Sequence, residues 1–174
     1  MRESTKFASK YFNGKTNVIV EVGVGDASNA FNMIENLNPN AMYLVDPFVP
    51  PEGWPNYDYN YKECQANKGN VEVKIKDMQN VHLIVKESHK ATEDIPNDLD
   101  LVYIDAIHDE FNVTRDIECW LQKIRVGGIL CGHDYYADAV ALAVIKKFPD
   151  IRKSPYEPDR HRNAEGSDWW IVKK

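Results

Sequence analysis

Val18-Ile19-Val20-Glu21-Val22-Gly23-Val24-Gly25-Asp26-Ala27-Ser28 runs from a short apolar segment straight into a pair of glycines. Apolar side chains on consecutive positions, broken only by Glu21, are what a strand covered on both faces requires. Beyond the glycines, residues 28–37 place Ala30, Phe31, Ile34 and Leu37 on one helical stripe, with Ser28 available as a cap. The stretch therefore predicts strand, tight turn and helix in succession. Glycines at such a turn let the backbone reverse sharply and expose main-chain N–H groups of a helix N-terminus to a ligand. They equally suit a bare strand-to-helix turn.

The same grammar recurs along the chain. Apolar runs at residues 41–45, 81–85, 99–104 and 128–132 end at Asp46-Pro47, before Glu87-Ser88, at Asp105 and before His133. Residues 111–124 place Phe111, Ile117, Trp120, Leu121 and Ile124 on a helical stripe, and 136–148 form an apolar helix ending before Pro149. Strands that alternate with helices need crossover connections and form a parallel sheet. The tail departs from this: 151–156 and 168–172 both read as strands around a polar 159–166 loop, and two strands with no helix between them pair as an antiparallel hairpin. Residues 47–61, rich in Pro and Tyr, fit neither pattern and read as a long loop of the kind that binds ligands.

At 174 residues, 43% hydrophobic and 28% charged, the chain has the composition of one globular domain spanning 1–174. Its net charge of -6, with the basic residues scattered, offers no footprint for a phosphate backbone and disfavours a nucleic-acid partner. Cys64, Cys119 and Cys131 are odd in number and lack CxxC spacing, which suits free thiols in a reducing compartment. There is no signal-like opening and no apolar run near the roughly 20 residues that span a bilayer. A cytoplasmic protein is expected.

Several residues at the expected strand ends carry chemistry. Glu21 just before the glycines would repel a pyrophosphate but could accept hydrogen bonds from a cationic ligand, and Ser28 stands where a dinucleotide motif wants a third small residue. Asp46 lies 21 residues beyond Gly25, a spacing at which a carboxylate can accept both ribose hydroxyls, although an Asp before Pro is also a common turn residue. Glu87 and Ser88 could meet an adenine edge or simply face water. Asp105 and Asp134 follow adjacent parallel strands, so with His133 they could hold a divalent cation; His133 and Asp134 could equally cap the next helix. His108, three residues after Asp105, is the candidate general base, since histidine titrates near neutrality, and Asp109 is placed to orient it.

Taken together, these residues resemble the class I S-adenosylmethionine-dependent methyltransferases, and within them the small-molecule O-methyltransferase-like group, methyltransferase domain 24-like. The carrier of the resemblance is residues 101–135, LVYIDAIHDEFNVTRDIECWLQKIRVGGILCGHDY, whose "IDAIHDE…RDIECWL…GGILCGHDY" layout is close to a family pattern "IDGDHSYE…DLEAW…GGLLAGHDY". The resemblance implies a Rossmann-like α/β domain with a mostly parallel seven-stranded sheet and a C-terminal antiparallel hairpin. It implies S-adenosylmethionine as cofactor, with Glu21, Gly23 and Gly25 toward its methionine part, Asp46 toward the ribose and Ser88 toward the adenine, and Asp105 at the reacting end. In metal-dependent relatives resembling catechol methyltransferases, the positions matching Asp105, His133 and Asp134 hold magnesium, and the position of His108 carries a lysine. The sequence departs from that pattern in having a His-Asp pair and Asp105-Ala106-Ile107-His108.

The expected reaction is in-line attack of an acceptor oxygen on the sulfonium methyl, with His108 or a metal drawing off the acceptor's proton. Only 17 residues precede the first expected strand, so the small-molecule acceptor would be framed by the 47–61 and 159–166 loops. Trp54, Tyr57, Tyr59 and Tyr61 could line that pocket or a contact in a homo-oligomer. Two rivals remain: a non-catalytic donor-binding or partner-binding module of the same fold, and a nicotinamide-dependent oxidoreductase, which the absent third glycine opposes.

Overall fold

The computed structural model describes residues 1–154 and 167–174. Along the chain lie α1 (Glu3–Tyr11), β1 (Thr16–Val22), α2 (Ser28–Leu37), β2 (Pro39–Val45), α3 (Tyr57–Ile75), β3 (Val81–Ile84), α4 (Ser88–Ala91), β4 (Leu99–Ile104), α5 (Glu110–Lys123), β5 (Ile124–Gly132), α6 (Asp138–Lys147), β6 (Arg152–Lys153) and β7 (Trp169–Val172). The strands form one seven-stranded sheet in the order β3-β2-β1-β4-β5-β7-β6. Strands β1 to β5 are parallel, and β7 runs antiparallel between β5 and β6.

Period-two alternation sorts the strand side chains into two cores. Val20, Val22, Val102, Ile104 and Leu130 pack with Ala91, Ile117, Trp120 and Val144 under α4, α5 and α6. Ile19, Leu44, Leu101, Tyr103, Ile129 and Cys131 pack with Ala8, Met33 and Val71 under α1, α2 and α3. Central β4 is buried at all six positions, which explains why its sequence runs apolar without alternation.

Register then builds the rim. Val22 lies opposite Val45 and Ile104, Val45 opposite Ile84, and Ile104 opposite Gly132. The carboxyl ends of five parallel strands are thus level, so Gly23, Asp46, Asp105 and His133 all emerge at one edge. The strand order reverses between β1 and β4, the place where open α/β sheets bind ligands.

The structure departs from the sequence expectations at particular points. Ser28 does not cap α2; Ala27 holds the cap position in the left-handed conformation, and Asp26 accepts from both the amide (2.9 Å) and hydroxyl (2.7 Å) of Ser28. The second half of the expected 47–61 loop is the start of α3, a helix with Val71 as its only buried residue and so without an amphipathic stripe to reveal it. Helix α1, which buries Ser4, Thr5 and Ala8, likewise carries too short an apolar face to mark it in the sequence. The 151–156 strand is a two-residue β6, while residues 155–156 and the expected 159–166 loop lie outside the described residues. The three cysteines are free thiols. Among the described residues no helix is long and apolar enough to cross a membrane.

Candidate active site

The glycine turn is held by backbone geometry. Gly23 has φ +83° and donates to the Val45 carbonyl (2.9 Å); a Cβ there would stand 2.1 Å from the Asp105 carbonyl oxygen, so only glycine lets β1 and β4 leave the sheet this close together. Gly25 also has positive φ (+53°), but nothing lies within 4 Å of its missing Cβ, and its open side borders a cavity of about 770 Å³. Asp46 pins the turn: its Oδ2 accepts from the amides of Val24 (2.8 Å) and Gly25 (3.2 Å), and its Oδ1 from Phe48 (2.7 Å). Its expected partner was a ribose; it stands on the cavity wall, with one carboxylate serving both as turn anchor and as a wall group.

Glu21 differs from its sequence reading. It is 1% exposed and off the wall of this cavity; Oε1 accepts from Asn29 (2.7 Å) and Oε2 has no hydrogen-bond partner. Burial, with Asp105 and Asp46 adding repulsion, pushes its carboxyl up to about 8. Burial thus favours its protonated form, and the sequence expectation that Glu21 meets a cationic ligand requires it to ionise inside the fold.

At the ends of β4 and β5 four side chains converge. Asp105, His108 and Asp134 each offer a ligand atom, all within 4.8 Å of one another. His108 Nε2 lies 3.0 Å from Asp134 Oδ2 and 3.5 Å from Asp105 Oδ1, and His133 Nδ1 lies 3.2 Å from Asp134 and 3.9 Å from Asp105. Neither His133 nor Asp134 caps α6, whose cap position is Ala137. Asp134, held at φ +56°, turns its side chain back to the cluster. The carboxylates of Asp105 and Asp134 raise the His108 imidazolium to about 10, and the two histidines hold Asp134 well below the usual carboxylate range despite its burial. These neighbours favour the protonated form of His108, the candidate general base of the sequence reading. Asp109 does not orient it, because it caps α5 by accepting from the Asn112 amide (2.8 Å).

The cavity lies along the strand ends, and Asp105 is the member of this cluster that lines it. Asp105, Ala106 and Ile107 form one wall, and Pro47, Trp54, Tyr57 and Cys64 another. Glu87, Ser88, Asn112, Arg115 and Asp116 also line it. Glu87 is half exposed and pairs with Lys90, the solvated alternative for that residue. Trp54 and Tyr57 do reach the cavity, whereas Tyr59 is 70% exposed.

Two groups at the site gave no signal in the sequence. Arg2 stacks on the Tyr103 ring (5.5 Å) and its Nη2 donates to Asp105 Oδ2 (3.2 Å). Asp168, wholly buried, accepts from the Ser4 amide (2.9 Å), the Ser4 hydroxyl (2.5 Å) and the Tyr103 hydroxyl (2.9 Å). The cap residue of α1, Arg2, makes no side-chain cap bond, so a carboxylate from the C-terminal hairpin caps this helix from 164 residues away. Contacts of that sequence separation leave no periodicity to read.

The fold and the rim define an open α/β protein with a cavity at the carboxyl ends of its parallel strands, and comparison with known proteins narrows it. Residues 20–135, two thirds of the chain, match the family model described as "Methyltransferase domain". The chain belongs to this family of class I S-adenosylmethionine-dependent methyltransferases. No curated protein matches it in sequence. Among solved structures it is similar to an rRNA methylase from Streptococcus thermophilus (14% identity, 98% of this chain and 93% of that one, TM-score 0.68). It is also similar to a Streptococcus mutans protein in complex with SAH (12%, 100% and 99%, 0.69) and to a SAM-dependent O-methyltransferase from Thermotoga maritima (14%, 98% and 64%, 0.58). At these identities the likeness is one of fold.

Proposed function

We propose that this chain, as a single cytoplasmic domain spanning 1–174, transfers the methyl group of S-adenosylmethionine to an oxygen of a small-molecule acceptor. The observation that carries the reading is the shared rim: one cavity joins the left-handed Gly23–Gly25 turn and Asp46 to Asp105, the hub of the Asp105, His108, His133 and Asp134 cluster. The residues fit the donor. A turn with no side chain at Gly25 admits a ligand to the backbone, Asp46 keeps acceptor capacity beside it for a ribose hydroxyl, and Ser88 lies on the same cavity's lining. About 770 Å³ is ample for a nucleoside ligand by the usual scale of roughly 300–1,000 Å³ for small-molecule pockets.

The carboxylates of Asp105 and Asp134 with the imidazole of His108 offer a ligand set for a divalent cation, the oxygens suiting magnesium. Of the holders expected from the sequence, Asp105, His133 and Asp134, His133 stands beside this group with its Nδ1 3.2 Å from Asp134. Such an ion supplies Lewis acidity that lowers the pKa of an acceptor hydroxyl. The chain's own part is to position the acceptor and to carry its proton. His108 Nε2 is the exchanging atom, and it becomes a base only where the charge of Asp105 and Asp134 is offset. The net charge of -6 and the aromatic Trp54 and Tyr57 on the cavity wall support a small acceptor over an RNA such as the one named for the streptococcal methylase.

Titration calorimetry of S-adenosylmethionine and S-adenosylhomocysteine, with magnesium and with EDTA, tests the reading. Donor binding that magnesium strengthens, an enhancement lost in Asp134→Ala, is expected; methyl transfer in an acceptor screen then follows. Absence of donor binding under both conditions overturns it.

A further inference from the structure

Asp105 brings the acidic and imidazole cluster to the cavity wall, and its two oxygens are divided between two sets of partners. Oδ1 faces the imidazoles, 3.5 Å from His108 Nε2 and 3.9 Å from His133 Nδ1. Oδ2 accepts from Arg2 Nη2 at 3.2 Å. A carboxylate turns about two side-chain torsions unless donors on both of its oxygens hold it. Without the guanidinium, only the longer contacts on Oδ1 would fix the side chain.

Arg2 is itself held from three sides. Its guanidinium lies over the ring of Tyr103 (5.5 Å to the centroid), two residues before Asp105 at the end of β4. Its Nη1 is 3.9 Å from Asp168 Oδ1, and Asp168 also takes the Tyr103 hydroxyl and both the amide and the hydroxyl of Ser4 in the first turn of α1. Arg2 therefore starts from a fixed helix end and reaches Asp105 between an aromatic face and a buried carboxylate. An exposed ion pair lacks such support and holds its partners loosely. We propose that Arg2 is a positioning residue for donor binding: it holds Asp105 Oδ2 so that the carboxylate meets the cavity in one orientation, with Oδ1 kept toward His108. This rests on the donor reading above. A wall group fixed before the ligand arrives raises affinity, because it need not be ordered on binding. Were Arg2 only a fastening for α1, its loss would weaken binding by the same factor whether or not Asp105 were present.

A double-mutant cycle separates the two roles. Arg2→Met keeps an apolar stem against Tyr103 and removes the donors. By calorimetry with S-adenosylhomocysteine, with thermal melting as the folding control, Arg2→Met should weaken binding roughly 3- to 10-fold, within the range of coupling between contacting polar residues. In an Asp105→Ala background the same substitution should change affinity less than about twofold. A second readout needs no ligand. The polar partners of His108 among the described residues are Asp105 and Asp134, with none on α1. Its ring nitrogen signals in NMR at one neutral pH, identified by their loss in His108→Gln, should therefore move in Arg2→Met, while those of His82 on β3 and His89 on α4 stay. Undiminished affinity in Arg2→Met, an equal loss in both backgrounds, or an unmoved His108 signal in the folded variant overturns the proposal and leaves the donor reading intact. A wild type that does not bind S-adenosylhomocysteine overturns both.

Discussion

Removing the Asp168 carboxylate should loosen the N-terminal helix from the site. In Asp168→Ala, the Ser4 amide, the Ser4 hydroxyl and the Tyr103 hydroxyl lose a buried acceptor at once, and Arg2 Nη1, 3.9 Å away, loses one of its two carboxylates. Unmet buried donors cost about 1–3 kcal/mol each, but Ser4 Oγ can rotate and the deleted charge no longer has to be desolvated, so the terms do not simply add. The net expectation is about 3–5 kcal/mol, the range for removing one member of a buried charged network. For a chain of this length each kcal/mol lowers the melting temperature by roughly 2–4 °C, which gives a fall of roughly 6–20 °C. Urea unfolding and calorimetry at neutral pH read both quantities. Because Arg2 also donates to Asp105, donor affinity should fall along with stability. A loss below about 1 kcal/mol, the value of an ordinary exposed cap, would refute the claim that Asp168 ties α1 to the sheet.

Two glycine substitutions a turn apart should behave differently. Gly23→Ala combines φ +83° with a Cβ 2.1 Å from backbone, so loss of donor binding and a destabilisation of more than about 2 kcal/mol are expected, whereas Gly25→Ala meets no atom within 4 Å and should cost only about 1–2 kcal/mol for its φ. Equal effects in calorimetry and urea melts would contradict the close approach of β1 and β4. Glu21 predicts a pH dependence. Its folded value of about 8 lies above the ordinary 4.5, so the native state binds more protons between the two and stability falls as pH rises through that window. Glu21→Gln should lessen that fall, and its melting temperature relative to wild type should rise from pH 5 toward about pH 8; a constant offset would show that Glu21 titrates normally.

Much of the fold was legible because it rests on local rules. Unbroken apolar runs identified β1 to β5, since strands covered on both faces cannot alternate, and the missing crossover before Trp169 identified the antiparallel hairpin. The helices that the sequence pattern does not mark, α1, α3 and the four-residue α4, bury too little of themselves to imprint a stripe. At the site, the residues following strand ends were nameable because level register carries every such residue to one rim.

What the sequence determined by itself is the strand-and-helix alternation, the family, and the roster of rim residues Gly23, Gly25, Asp46, Asp105, His108, His133 and Asp134. Tertiary structure decided their states. Burial favours the neutral form of Glu21, two carboxylates from different strand ends favour the protonated form of His108, and Arg2 and Asp168 joined the site through packing alone. The physical reason is that hydrophobic periodicity is written in neighbouring residues, whereas desolvation and Coulomb interactions depend on distances between residues that only the folded chain brings together.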